Sequence, residues 1–504
     1  MVNFLSLASS KNWFNSKNKI FLFVILIFFS GLNLTIVLTN HYLFNTYAFD
    51  YGVYNFAFYD FAHLHVSPCP VYLFPYNITF LQDHFSFALI VLSPLYWLLA
   101  PITGTYTLLI IQSCIITFGG WATYRLILLK SENYKIALLS LVYYFILLGR
   151  FTSCAADCNL AIIGSALIPV FLYYFEKNKI PQTFACFLFL IITREDYALW
   201  LIFICAFLML IHRKDKFQKN FSALLLFLSV ISFILIFKYI IPALEDENKK
   251  YNLFAFSALG KTPLEALLFI LQNPFKSLEL LFINHSGSSY YDGVKTDFYM
   301  IYFISGGFLL FFRPVYIIPF LPLIAKKMFT DDPTRWSVES YYSIEVVSIL
   351  PVMVFLIISG IKKEGFKLPF AIIICGLTLI ITCKEIFKPA IEHRALLGNS
   401  QKYNLLNSKF YQTAYNATEI NKALEAIPGD AIVSASCKLL PHLAFRKKIY
   451  YYPKIDDAEY ICVFKNDTWP TPQNEFDKIL SGLILEKGWK IIVEKKDFLL
   501  LSLK

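Results

Sequence analysis

NHYLFNTYAFDYGVYNFAFYDFAHLHVSPCPVYLFPYNITFLQDH, residues 40–84, contains no lysine or arginine but carries Asp50, Asp60, Asp83, His41, His63, His65 and His84. It stands between strongly apolar segments in a chain of formal net charge +10. Basic residues resist translocation and gather in cytosolic loops, so a long stretch without them is expected outside the cytosol. Its acids and histidines are then expected at the outer mouth of a membrane domain, where chemistry on an exported or lipid-carried substrate would occur.

The rest of the composition agrees. Of 504 residues, 57% are hydrophobic, 18% aromatic and only 16% charged, and the mean hydropathy is +0.56. That is too apolar for one soluble core and predicts an α-helical, multi-pass protein of the cell membrane. The basic excess is spread over short loops, which reads as a topology signal and excludes nucleic acid as a partner. The ten cysteines are scattered and imply no disulfide framework. Cys154 and Cys158 are one helical turn apart but lack further soft ligands nearby, so no zinc site is expected.

The positive-inside rule gives a map. A first span over 20–38 leaves a cytosolic N-terminus. Residues 85–100, with Pro94 inside and Pro101 closing them, predict a partly inserted outer helix. Residues 105–128 return to the cytosolic Arg125, Lys130 and Lys135, and 136–148 lead out to a loop holding Arg150 and Asp157. Further spans over 160–175, 184–193, 197–211 and 221–241 alternate sides, with 212–219 the densest basic cluster. Residues 263–282 show apolar positions at helical spacing within a long outer loop. Residues 299–325 form either a hairpin bent at Arg313 and Pro314 or one long helix; Lys326 and Lys327 oppose the hairpin, while Lys362, Lys363 and Lys367 support it. Two last spans, 341–361 and 369–387, precede a polar region. There, 431–435, 459–464 and 490–493 predict strands and 474–486 a helix, together a small α/β domain. The expected organisation is a membrane domain, 1–388, with outer loops 40–104 and 242–297, followed by a soluble domain, 389–504.

Asp50 lies among Phe49, Tyr51, Tyr54 and Phe56, an apolar setting that suits a general base or a metal-holding carboxylate. Asp83 and His84 precede the outer helix, where a helix N-terminus favours anions; Asp83 is alternatively its cap. Arg194, Glu195 and Asp196 interrupt an apolar stretch, and ionisable residues at membrane depth are candidates for function. Asp157, Arg313, Arg335, Glu339, Tyr341 and Tyr342 stand near span ends, where anchors also stand.

The segments Phe49-Asp50-Tyr51-Gly52-Val53-Tyr54-Asn55, Asp83-His84-Phe85-Ser86, Ser93-Pro94-Leu95-Tyr96, 108–112, Arg194-Glu195-Asp196-Tyr197-Ala198-Leu199, Phe312-Arg313-Pro314 and 428–435 run in order along nearly the whole chain. In these the chain resembles a family of multi-pass prokaryotic membrane proteins of unknown function grouped with the GT-C glycosyltransferases. The resemblance implies a GT-C-like fold of about eleven spans with the C-terminal domain outside. It implies sugar transfer from a polyprenyl-phosphate carrier to a glycan, lipid or protein acceptor, usually with inversion. Asp50 would be the catalytic carboxylate; Asp83, His84, Asp157, Arg194, Glu195, Asp196, Arg313 and Tyr342 would bind substrate. A divalent cation, magnesium or manganese, would be held by Asp50, Glu195 and Asp196. The chain departs from the pattern at Cys158 and Asn159, in place of an aromatic residue and a histidine, and at Tyr341, in place of a histidine. The alternatives are a transporter or flippase using the same charges as a pathway, and a non-catalytic envelope protein that binds a partner.

Overall fold

The computed structural model describes residues 16–72, 77–245, 251, 254–388, 400–486 and 488–503. The expected boundary at 389 and the first lysine, Lys11, lie outside the described residues. The protein is mostly helical, with a small mixed sheet at its C-terminal end. Four helices are long and apolar enough to cross a membrane: Asn18–Tyr42, Leu95–Ser131, Lys216–Leu244 and Glu364–Ile386. Tyr134–Ile146 and Leu148–Ala155 make a fifth if the pair, bent by 47°, counts as one span. Leu160–Glu176, Ile180–Ile191, Tyr197–Ile211, Pro263–Gln272 and Ile344–Ser359 are apolar but shorter. Even a 17-residue helix rises only about 25 Å, short of a hydrocarbon core of about 30 Å. Helix length alone therefore supports fewer than the eleven spans that the resemblance implies.

Three local expectations are corrected. Pro101 does not close a helix. It lies inside Leu95–Thr103, which runs on through Gly104–Tyr106 into Thr107–Ser131. Residues 299–325 are neither a tight hairpin nor one long helix: Val294–Ile304 is followed by two 3₁₀ runs, Gly307–Phe312 and Pro314–Phe320, and then by Leu321–Phe329. Pro314, Pro319 and Pro322 each remove an amide donor, which prevents one continuous α-helix. Arg150 is not in a loop. It is buried in helix Leu148–Ala155 with its guanidinium 4.3 Å from the Tyr144 ring centre, and its Nε and Nη1 find no hydrogen-bond partner among the described residues.

Helices Thr107–Ser131 and Leu160–Glu176 approach each other closely at Gly119. A Cβ on Gly119 would run into the Ala166 carbonyl and come within 2.7 Å of the Tyr144 hydroxyl. Because the first obstacle is backbone, Gly119→Ala is expected to cost about 1–3 kcal/mol by overpacking. Chemical unfolding in nanodiscs measures this, and an unchanged midpoint would refute the close approach.

The amphipathic stretch becomes two helices, Pro263–Gln272 and Pro274–Leu280, broken where Asn273 meets Pro274. One side packs Leu259, Ala266 and Leu280 against Phe329. The other leaves Leu264, Leu267, Leu271 and Phe275 exposed, an apolar stripe suited to a bilayer surface.

The C-terminal sheet has five strands: β1 Val433–Ala435, β2 Ile449–Tyr451, β3 Tyr460–Phe464, β4 Lys490–Glu494 and β5 Phe498–Ser502. Their order is β2-β1-β3-β5-β4, with β1, β2 and β3 parallel and β5 antiparallel to β3 and β4. Helix Gln473–Glu486 covers part of a separate small core built on Tyr452, Ile461, Phe476 and Leu501. A second set of sheet residues, Val433, Ala435, Tyr451 and Phe464, joins the hydrophobic core of the membrane bundle itself. The sheet is thus seated on the bundle, against the segment that carries Asp50. The Leu440 methyl lies 2.5 Å from where a Gly52 Cβ would stand, Asn55 Nδ2 donates to the Pro441 carbonyl at 3.2 Å, and the rings of His41 and His442 stack at 3.9 Å.

Candidate functional site

Asp50 sits in a single wide helical turn, Ala48–Gly52, that leads into helix Val53–Ala62. Tyr51 fixes this turn by donating its hydroxyl to the Thr105 carbonyl, and Asn55 donates to the same oxygen at 3.2 Å. The turn opens on a cavity of about 110 Å³ lined by Tyr47, Asp50, Asp157, Cys158, Ser340, Tyr341 and Lys402, among others. That is room for several waters. Four distant stretches of chain build it: the 40–60 loop, the break between two helices at 155–158, the 340 loop and the beginning of the C-terminal region.

The cavity contains two carboxylates in one low-dielectric place. Asp157 is buried and its Oδ2 accepts the Tyr47 amide at 2.8 Å. Burial first, and the charge of Asp50 second, push the Asp157 carboxyl up to about 7, against the pull of Lys402 and the Tyr47 amide. Asp50 is accessible because it faces the cavity, yet protein surrounds it closely enough that desolvation raises its carboxyl as well, with His84 and Lys402 drawing it down. Burial and then Asp50 push up the Tyr341 phenol, which shares the cavity wall. Ser340, beside it, holds a left-handed φ of +56°, a costly conformation for a non-glycine residue and one found at ligand sites.

A second group of charges flanks the first. Lys326 Nζ lies 2.6 Å from Asp196 Oδ2 and 2.9 Å from Glu345 Oε1; Arg194 lies 3.4 Å and 3.7 Å from the same two oxygens. Burial alone would raise the Asp196 carboxyl, but Arg194 and Lys326 outweigh it and bring it to about 2. Glu195 is raised by burial, with Arg194 opposing. Lys327, next along the chain, is buried and donates to the carbonyls of Arg335, of Ser337 at 2.5 Å and of Tyr342 at 3.1 Å. It thereby pins the loop that presents Ser340 and Tyr341.

His84 pairs with Asp83 at 2.9 Å and stacks on Phe80, 5.1 Å between ring centres. Its charge reaches Asp50, while the charges of both Asp83 and Glu195 act on Tyr251. Asp83 does not cap a helix. Thr79 and Gln82 form the capping box of the short helix Phe80–Asp83, and the next helix, Ala88–Leu92, has Phe87 at its N-cap. It is only five residues long, so few aligned peptide dipoles stand behind its N-terminus.

Of the residues singled out by sequence, Asp50 and Asp157 line the cavity, and the charges of Asp83, His84, Arg194, Glu195 and Asp196 act in its surroundings. Tyr342 lies at the edge, its carbonyl tied to Lys327. Arg313 stands elsewhere. It is exposed between the two 3₁₀ runs and acts on Tyr316 together with Glu176, whose carboxylate pairs with Lys130 and His212 at another end of the bundle. The residues that sequence reasoning missed are Lys402 and Ser340 in the cavity wall and Lys326 and Glu345 in the ion-pair group.

Asp50, Glu195 and Asp196 do not fit a divalent cation. Glu195 and Asp196 are absent from the cavity wall, and an Asp196 oxygen is already held by two cations. Among the described residues no three His, Cys, Asp or Glu side chains gather as a metal site requires.

The raised Asp157 carboxyl has a stability consequence. Between about pH 4 and pH 7 the folded protein keeps a proton that the unfolded chain has lost, so stability is full below the ordinary carboxyl range and falls as pH rises toward 7. Thermal unfolding of the full chain across this range should show that decline, and Asp157→Asn should flatten it. An equal slope in the variant would contradict the assignment.

Fold and site together define a helical membrane protein with an acidic cavity in its bundle and a small α/β domain seated against the segment that carries Asp50. The chain belongs to the family described as Predicted membrane protein (DUF2079), which it matches over residues 40–500. No curated protein matches it. Among solved structures it is similar to the archaeal oligosaccharyltransferase AglB from Archaeoglobus fulgidus, determined with an inhibitory peptide and a dolichol-phosphate. The identity is 11%, the TM-score 0.45, and the match covers 90% of this chain and 70% of that one.

Proposed function

We propose that this protein transfers a sugar from a polyprenyl-phosphate donor to an acceptor on the outer face of the cell membrane. The observation that carries this reading is the Asp50–Asp157 pair in one cavity, where burial holds both carboxyl groups above their ordinary range and the charge of Asp50 lifts Asp157 further. A carboxylate so raised is a better base near neutral pH than a solvated one.

In the proposed step Asp50 takes the proton of an acceptor hydroxyl as its oxygen bonds to the anomeric carbon. The bond from that carbon to the donor phosphate oxygen breaks, its electron pair leaves with polyprenyl phosphate, and configuration inverts. Asp157 orients the acceptor and holds or yields a proton next to Asp50. Glu195 and Asp196, with Arg194 and His84, line the approach for the acceptor and the phosphate. No step is assigned to a metal. On this reading the N-terminus is cytosolic, the shorter apolar helices complete about eleven spans inside the bundle, and the domain beyond residue 388 is extracytoplasmic.

The test is full-length protein in nanodiscs supplied with radiolabelled polyprenyl-phosphate sugars and membrane extract as acceptor source. Transfer of label from at least one donor is expected. Failure across the donor panel would overturn the reading in favour of transport or partner binding.

A further inference from the structure

The cavity contains a cation that neither the family description nor the sequence motifs single out. Lys402 ends the short 3₁₀ turn Ser400–Lys402, beyond the last long helix, and lines the same wall as Asp50 and Asp157. Its position is fixed at two levels. Asn40 donates to its backbone carbonyl at 2.7 Å, while its ammonium donates to the Asn45 carbonyl at 3.1 Å and lies 4.4 Å from the Tyr47 ring centre. No carboxylate among the described residues lies within ion-pair distance of it, yet its charge acts on both Asp50 and Asp157. The neighbouring cations differ: Arg194 and Lys326 are each committed to Asp196 and Glu345. An ammonium has three donors, and a single hydrogen bond to Asn45 leaves donors for a ligand. Arg194 and Lys326 each face two carboxylates and stand outside the cavity wall, so they serve a phosphate in the cavity less well, and the carboxylates of the site do not fit a metal that would hold one. Among the described residues that line the cavity, Lys402 is the cation that can do it.

We propose that the Lys402 ammonium binds the phosphate of the lipid-linked donor in the Asp50 cavity, in the role that a divalent cation would otherwise fill, so that the site operates without metal. This rests on the sugar-transfer reading for the identity of the lipid, but the phosphate site is tested by binding alone. Lysine is a sound phosphate ligand as a point charge, and the reaction gains because the same charge offsets the phosphate that departs. It also gives the C-terminal region a direct part in the site.

The experiment is binding of undecaprenyl phosphate to full-length protein in nanodiscs, in excess EDTA. Wild type should bind, Lys402→Met should bind roughly ten- to hundredfold more weakly, as expected for loss of a charged hydrogen bond, and Lys402→Arg should keep most of the affinity. Binding that requires added magnesium or manganese, or that is unchanged in Lys402→Met, overturns the proposal. Should Lys402→Met fail to fold, manganese titration of wild type followed by electron paramagnetic resonance decides instead: no stoichiometric bound manganese supports it, and one bound ion lost in Asp50→Asn overturns it. Metal-free, Lys402-dependent binding without any sugar transfer would sink the transferase reading while the phosphate site stands. Sugar transfer that needs a divalent ion and ignores residue 402 would do the reverse.

Discussion

Replacing Asp50 by asparagine is expected to slow sugar transfer by roughly 10²- to 10⁴-fold, the usual contribution of a positioned general base. The fold should survive. Asp50 faces the cavity, forms no ion pair among the described residues, and its turn is held by Tyr51 and Asn55 through the Thr105 carbonyl. Asparagine keeps the size and loses the charge, so the effect reads the base and not the packing. A second consequence follows from the coupling of the two acids. The charge of Asp50 is one of the two largest causes that lift the Asp157 carboxyl, so in Asp50→Asn it should fall back toward its ordinary range. The decline of stability between about pH 4 and pH 7 should then weaken in this variant. Loss of transfer in a folded protein with an altered pH slope supports the pair; wild-type rates would exclude Asp50 as the base.

The largest effect on stability is expected from Glu345→Gln. Glu345 is 7% exposed at its side chain and shares with Asp196 the two cations Arg194 and Lys326. Removing its charge leaves the two cations to Asp196, with Glu195 acting on them from beyond ion-pair distance. Breaking a buried pair costs about 3–5 kcal/mol, and the partial exposure of Lys326 and Arg194 reduces this to roughly 2–4 kcal/mol. Arg335→Ala is the control, since its pair with Asp332 is largely exposed, and its cost should stay within about 0.5 kcal/mol. Denaturant unfolding in nanodiscs separates the two, and equal small losses would show that the Arg194 group does not support the site. Reduced transfer in Glu345→Gln is expected as well, because Lys326 and Lys327 adjoin and Lys327 holds the Tyr341 loop.

How much of this was legible beforehand depends on the range over which a residue acts. The segment around Asp50 was readable because the whole of 40–84 lacks basic residues, a signal that needs no partner to interpret. The strands at 431–435, 459–464 and 490–493 were readable from local pattern and turn residues. Phe498–Ser502 was not: it is buried along its whole length, so its run of leucines lacks the alternation that marks a half-buried strand. Lys326 and Lys327 carry two signals at once. They read as cytosolic markers in the sequence, and each is also bonded inside the protein, which gives its presence a second cause. Lys402 was invisible because it meets Asp50 only after about 350 intervening residues have folded, and nothing near it in sequence suggests a site. Arg313 stood near a span end and entered the substrate set through the resemblance; the structure leaves it exposed and outside the cavity wall.

The central claim is that the lipid-linked substrate meets the protein at the Asp50 cavity. It is tested most directly by placing a benzophenone amino acid in place of Tyr341, in the cavity wall, and separately in place of Arg313, then irradiating each protein in nanodiscs with a radiolabelled polyprenyl phosphate. The account predicts labelled protein for position 341, suppressed by excess unlabelled lipid, and little for position 313. Equal labelling at the two positions, or specific labelling at 313 alone, would contradict it.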